Sequence, residues 1–210
     1  MVKLTFFVKR LPEVSHEQLC DHWLNIHAPG VRDLMGARHY SVTHFKQRPD
    51  TRYDGMAELW YDDWATGRQV HKNPPPAVAN DGFLPLTGDF VRLDCEEHVI
   101  VDGPRPEGAV KMVYPVAFRD GVDHEEAKAY WLEVHAPLVA ASVEVTEGAH
   151  RYVVSQQIDS HRGPWAGIAE LWYSSLDAVR AQGQVLQPDE FARYTTVAAP
   201  LLGREYLIIP

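Results

Sequence analysis

The chain has 210 residues, 45% of them hydrophobic, which is enough for one or two domains with a proper core. Its 29 acidic and 20 basic side chains give a formal charge of -9 with no Lys/Arg cluster, which excludes a groove that neutralises nucleic-acid phosphates. The opening apolar run, five residues between Lys3 and Lys9, is too short for a signal peptide or a bilayer span, so a cytoplasmic protein with no membrane partner is expected.

Residues 2–9 alternate Leu4, Phe6 and Val8 with Lys3, Thr5 and Phe7, a period of two that predicts a strand. Ser15-His16-Glu17-Gln18 fits a capping box and opens a helix. That helix runs into Trp23-Leu24-Asn25-Ile26-His27-Ala28-Pro29, where Trp and His share a face about one turn apart. Pro29 lacks the N–H an interior turn needs and is expected to kink or end the helix at His27. Segments 38–47 and 55–61 predict the second and third strands, 63–72 a second helix followed by the stiff turn Asn73-Pro74-Pro75-Pro76, and 90–101 a closing strand. The order is β-α-β-β-α-β.

After a Gly- and Pro-rich linker at 103–108, the same order is written again. Asp123-His124-Glu125-Glu126 caps a helix that runs into Trp131-Leu132-Glu133-Val134-His135-Ala136-Pro137, 108 positions after its counterpart. Residues 150–158 and 167–173 answer to strands two and three, 175–186 to the second helix and 203–209 to the last strand. Gly55-Met56-Ala57-Glu58-Leu59-Trp60-Tyr61 matches Gly167-Ile168-Ala169-Glu170-Leu171-Trp172-Tyr173, and Asp81-Gly82-Phe83 matches Asp189-Glu190-Phe191. The offset moves from 108 to 112 and back, so the second copy has four extra residues before its third strand and four fewer after it. The predicted domains are therefore 1–102 and 109–210. The fold class is α+β, with each ferredoxin-like sheet covered on its open face by the other copy, as a pseudo-dimer.

His27 and His135 are the leading candidates for chemistry, because an imidazole titrates near neutrality and needs only a modest shift to serve as a general acid or base. The competing role is a helix-terminal imidazole bonded to a backbone carbonyl, which repetition fits equally well. Glu58 and Glu170 sit inside apolar strands: each is either a desolvated second acid-base group or a carboxylate paired with a Lys or Arg across the sheet interface. Tyr40 and Tyr152 are candidate oxyanion donors, and Trp23, Trp60, Trp131 and Trp172 candidate pocket walls. His22, His39, His44 and His71 concentrate imidazoles in the first copy, which is the favoured half for a working site. The eleven histidines contain no His-Glu-x-x-His and no zinc-finger spacing, so no metal is expected. Cys20 and Cys95 form no disulfide framework and are expected as buried thiols. Nucleotide-binding loops and a serine-hydrolase elbow are absent from the sequence.

The Trp-x-x-x-His-Ala-Pro phrase, the Tyr of strand two and Gly-x-Ala-Glu-Leu-Trp-Tyr in strand three together resemble the EthD family of the dimeric α/β-barrel superfamily, and the resemblance covers both halves. It implies a dimeric α/β-barrel with a pocket between each sheet and its helices. Relatives in the superfamily include cofactor-free dehydratases, cyclases, isomerases, decarboxylases and oxygenases acting on aromatic or polyketide-like compounds, together with heme-binding members. Gly30 departs from the apolar residue that usually follows His-Ala-Pro, whereas Leu138 keeps it. The expectation is a lyase without cofactor, a dehydratase or cyclase-type enzyme acting on a small hydrophobic molecule, as a monomeric pseudo-dimer or a homodimer. The alternatives are a non-catalytic heme- or small-molecule-binding module and a cofactor-free oxygenase.

Overall fold

The computed structural model describes residues 1–160 and 162–210, and its chain forms two compact units. The first comprises Met1–Asp94 with Glu205–Pro210; the second is Cys95–Arg204. The change of unit thus falls inside a continuous strand, upstream of the 103–108 segment, and the last six residues rejoin the first unit. No helix among the described residues is long and apolar enough to cross a membrane.

In the first unit, β1 (Val2–Arg10) leads to α1 (His16–His22), a π-helical turn (Trp23–His27) and α2 (Ala28–Leu34) in one unbroken run. β2 (His39–Phe45) and β3 (Gly55–Tyr61) follow, then α3 (Trp64–Lys72), the short α4 (Pro76–Ala79), a 3-10 turn at Leu84–Leu86, and β4 (Thr87–Val101). The second unit repeats the plan with β5 (Val110–Phe118), α5 (His124–Tyr130), a π turn (Trp131–His135), α6 (Ala136–Val145), β6 (Ala149–Gln157), β7 (Gly167–Tyr173), α7 (Leu176–Val185), α8 (Phe191–Tyr194), β8 (Thr195–Val197) and β9 (Leu201–Ile209). The class is α+β and each copy runs β-α-β-β-α-β. The first unit's strands are ordered β4-β1-β3-β2, with β9 beside β2. In the second, β5 pairs with β7 and β7 with β6, all antiparallel, and residues 95–101 of β4 pair with β6.

The local causes are visible residue by residue. Ser15 makes the full capping box, accepting from Gln18 N while the Gln18 side chain accepts from Ser15 N. Asp123 accepts from both Glu125 N and Glu126 N. Pro29 and Pro137 do not end their helices, but the helix changes register at the expected place. The turn ahead of each proline widens instead, so that Ala28 N–H donates to Trp23 O and Ala136 N–H to Trp131 O, five residues back. That register places each proline at the start of a fresh α-helical segment, where its missing N–H costs little. β4 begins at Thr87, earlier than the sequence suggests, because Gly88 is not a turn. A Cβ there would lie 3.2 Å from the Arg10 carbonyl oxygen, so its role is close backbone approach.

The indels between copies have visible products. Three of the four extra residues lengthen the helix after the motif, which has seven residues in α2 and ten in α6. The four missing ones remove any counterpart of α4 among the described residues of the second unit.

In the first unit, the core between helices and sheet includes Leu4, Trp23, Val31, Tyr40, Val42, Leu59, Val78 and Phe83. In the second it includes Met112, Trp131, Val139, Tyr152, Val154, Leu171 and Phe191. Asp54, fully buried, ties β1 to α1: it is ion-paired with Arg10 and accepts from Arg10 N at 2.9 Å and from His16 Nδ1 at 3.1 Å. His16 Nε2 lies 3.4 Å from Cys20 Sγ, whose thiol is pushed up to about 12 by burial and by Asp54. Cys95 is buried, and both cysteines are unbridged.

Candidate functional site

Between the helices and the sheet of the first unit lies a cavity of ≈ 420 Å³. The helical run contributes Trp23, His27, Val31 and Met35; the strands contribute Phe6, Val8, Tyr40, Ala57, Leu59, Phe90 and Arg92. His71 of α3, Val78 and Ala79 of α4, and Phe83 complete most of the wall. The lining is apolar with a few polar groups and no carboxylate, the character of a small-molecule site.

Two of those polar groups are held by partners behind the wall. His27 Nδ1 is 2.7 Å from Asp81 Oδ2, and Asp81 Oδ1 accepts from Phe83 N at 2.8 Å. A carboxylate can only accept, so Nδ1 carries the proton and Nε2 is left with its lone pair. The Phe83 ring stacks on the imidazole at 4.1 Å with planes 12° apart. Burial lowers the His27 pKa below the ordinary 6.5, with Asp81 opposing the shift, so the ring is neutral at pH 7. This is an oriented imidazole with the tautomer of a base. Tyr40, 1% exposed, accepts from Trp23 Nε1 at 3.3 Å, and burial pushes its phenol up, so it remains protonated and a donor.

His71 Nε2 meets the Tyr61 hydroxyl at 3.0 Å, and its ring lies 4.8 Å from Phe6. Burial lowers its pKa to about 4, so it too is neutral at pH 7. Arg92 sits 5.9 Å from the Phe6 ring centroid and donates through Nε to Asp94 at 2.7 Å.

The second unit repeats the first pair: His135 Nδ1 is 2.9 Å from Asp189 Oδ2, Phe191 N donates to Asp189 Oδ1 at 3.1 Å, and the rings of His135 and Phe191 stack at 4.0 Å. Burial again lowers the imidazole pKa against the pull of Asp189. Other parts differ. Trp131 Nε1 and the Tyr152 hydroxyl, both buried, fall short of the hydrogen-bond geometry that Trp23 and Tyr40 reach, and burial pushes the Tyr152 phenol up. The Tyr173 hydroxyl donates to Gln182, where Tyr61 in the first copy meets His71.

Not every sequence candidate reaches the cavity. Glu58 and Trp60 lie on the opposite face of β3 from Ala57 and Leu59, as the two-residue period requires. Glu58 is ion-paired with Lys3 at 2.6 Å, each 1% exposed, and accepts from Ser41 Oγ at 3.1 Å. That lysine lies on the neighbouring strand β1 of the same sheet. Glu170 and Lys111 repeat the arrangement at 2.8 Å with Ser155 alongside, and the lysines lie over Trp60 and Trp172. His39 is exposed, donates to Pro210 O at 2.6 Å and turns its edge to Trp60. His44 is wedged between Trp23 and Tyr206, with its pKa lowered to about 4 by burial. His22 packs near Phe83 behind the lining, 6.4 Å between ring centroids. No group of three or more His, Cys, Asp or Glu among the described residues is arranged to hold a metal ion.

Sequence reading used Asp81 and Asp189 only as marks of the repeat. The missed signal was their spacing: each lies 54 residues after its histidine, although the intervening strands have slipped by four between copies. Compensating indels that restore one distance point to a contact. Arg92 carried no such signal.

Comparisons with known proteins agree with the duplication. The family model described as EthD domain matches residues 11–75 and 119–197. No curated protein matches significantly. Among solved structures, a chlorite dismutase from Candidatus Nitrospira defluvii in complex with imidazole is 12% identical with TM-score 0.62, covering 99% of this chain and 92% of that one. A putative monooxygenase from Lactobacillus acidophilus NCFM is 11% identical with TM-score 0.59, over 98% of this chain and 94% of that chain. An anthrone oxidase-like protein is 11% identical with TM-score 0.59, over 99% and 92%. At such identity these likenesses concern the fold alone. The family model spans most of both copies, including the two Trp-x-x-x-His-Ala-Pro phrases, and the chain therefore belongs to the EthD domain family.

Proposed function

We propose that this protein is a cofactor-independent lyase, a dehydratase or cyclase-type enzyme, acting on a small hydrophobic, aromatic or polyketide-like compound in the first unit's cavity. The observation that carries the reading is the His27–Asp81 pair, which presents an unprotonated Nε2 on the wall of an apolar cavity. In the dehydration form, Nε2 takes a proton from the carbon next to a carbonyl, and the electron pair moves onto the carbonyl oxygen. The Tyr40 hydroxyl donates to that oxygen as charge develops. The electron pair then returns to expel the β-oxygen, which leaves as water with the proton carried by His27. Aromatic and aliphatic walls from Trp23, Phe83 and Leu59 hold the ring system and exclude water. The second copy keeps the His135–Asp189 pair without the α4 wall, and the reading makes the first cavity the working one.

The reading takes segments 1–102 and 109–210 as the two fused ancestral copies, ferredoxin-like units in a dimeric α/β-barrel. What supports it is the shared β-α-β-β-α-β order and the family match in both halves. The test is turnover of a panel of β-hydroxy ketones and linear poly-β-ketones by the wild type, His27→Ala and His135→Ala. Loss of turnover in His27→Ala alone is the expected result; full turnover in both folded variants sinks the assignment. Oxygen consumption during turnover would replace the lyase by an oxygenase, and a Soret band in purified protein would replace it by heme binding.

A further inference from the structure

We propose that Arg92 is the anion-binding end of the first unit's cavity, so that the compound it takes carries one carboxylate or enolate-type oxygen anion on an otherwise apolar skeleton. The inference deepens the proposed function by naming the substrate's charge, and it rests on that reading only for what happens at His27.

Arg92 is the sole permanently charged group in the lining, and no carboxylate shares the wall with it. It is 25% exposed at the side chain and packs beside Phe6, which in turn contacts His71, so cation, ring and imidazole form one continuous stretch of wall. Its own anion does not account for its charge. Asp94 receives Arg92 Nε at 2.7 Å on one oxygen and Arg68 Nε at 2.8 Å on the other, so at least two guanidiniums share one carboxylate. Arg92 spends only Nε in that contact and its side chain makes no other hydrogen bond to a described residue, which leaves the terminal nitrogens as donors. A guanidinium presenting terminal N–H groups in a low-dielectric wall matches a planar oxyanion in charge and geometry. Arg68 takes over the work of holding Asp94 from outside; it is 51% exposed and does not line the cavity. In a chain with formal charge -9, a surplus cation on an internal wall is a local exception with a chemical use.

A pair of probes of equal shape and different charge, 2-naphthoate and 2-naphthamide, tests this by titration calorimetry without any turnover. The expected result is that wild type binds naphthoate about tenfold to a hundredfold more tightly than naphthamide. Arg92→Gln loses that preference while keeping its naphthamide affinity, Arg92→Lys retains part of it, and Arg68→Gln, with the same change in net charge, weakens it less than Arg92→Gln does, because Asp94 then falls more fully to Arg92. Should Arg92→Gln fail to fold, the wild-type salt dependence still decides: naphthoate affinity falls with ionic strength and naphthamide affinity does not. Equal affinity for the two probes, no binding of either, or a preference that survives Arg92→Gln overturns the proposal. Failure of the lyase reading looks different, since His27→Ala would then keep turnover while the naphthoate preference stands.

Discussion

Replacing Asp81 by Asn tests the orienting pair more sharply than removing the histidine does. Asp81 is held from two sides: Oδ1 accepts from Phe83 N at 2.8 Å, and Oδ2 faces His27 Nδ1 at 2.7 Å. Asn has one oxygen and one NH2 for those two places. The backbone N–H can only donate, so the amide oxygen goes to Phe83 and the NH2 points at Nδ1. Nδ1 must then accept, and the proton moves to Nε2, the nitrogen left for the cavity. The variant keeps both hydrogen bonds and loses only their charge assistance, so its stability falls by about 1 kcal/mol. In the proposed reaction the base is then gone, and kcat should fall roughly 100-fold or more, about 2.7 kcal/mol of barrier. Nitrogen-15 NMR of the His27 ring reads the tautomer directly and needs no substrate: Nδ1–H in the wild type, Nε2–H in Asp81→Asn. A variant that keeps Nδ1–H, or that flips and still turns over within about threefold of wild type, refutes the reasoning.

Three further outcomes follow from the geometry. Glu58→Gln leaves Lys3 charged and buried, so the urea midpoint should drop by the equivalent of about 3–5 kcal/mol, whereas Lys3→Met/Glu58→Leu together recover most of it; a Glu58→Gln variant of native stability that has lost turnover would instead make Glu58 catalytic. Gly55→Ala places a Cβ 2.7 Å from Trp23 Cζ3 and 2.8 Å from Thr43 O, an overpacking expected to cost about 1–3 kcal/mol in chemical denaturation, and Gly167→Ala against Ser155 O and Trp131 should behave alike; a neutral result would show that the Trp shelf yields. His44 and His71 have folded-state pKa values of about 4, below the 6.5 of the unfolded chain, so unfolding takes up protons that the native state refuses. Stability is then full above pH 6.5 and declines as pH falls towards 4; between pH 7 and 5 the decline, read by urea unfolding, should shrink in His44→Gln and in His71→Gln, and an unchanged slope would contradict the burial argument.

The repeated phrase made the secondary structure readable: strands at 55–61 and 167–173, both helix caps and the location of the indels are all written in local pattern. The π turns were not, because a proline signals the loss of one hydrogen bond and leaves open whether the helix stops or changes register. The period of two puts Trp60 and Glu58 on one face of their strand, but it does not say which face meets the helices. That needs the knowledge that Ala57 and Leu59 pack under Trp23, a contact between segments far apart in sequence. His71, Asp81 and Arg92 join His27 for the same reason: each comes from a different element, and only the folding of the first unit brings them together.

The passage of β4 from one unit to the other, and the return of Glu205–Pro210 to the first, set a timetable for the protein's birth. The first unit is translated first but lacks its last strand, the neighbour of β2, until residues 95–204 have also been made. At ordinary synthesis rates of about 5–20 residues per second, that leaves the free rim of β2 waiting for roughly 5–20 s on the ribosome. An unpaired rim of that kind is a template for other nascent chains. The chain therefore has a built-in interval in which a chaperone has something to hold, and a fragment ending before residue 205 would carry that interval for its whole life.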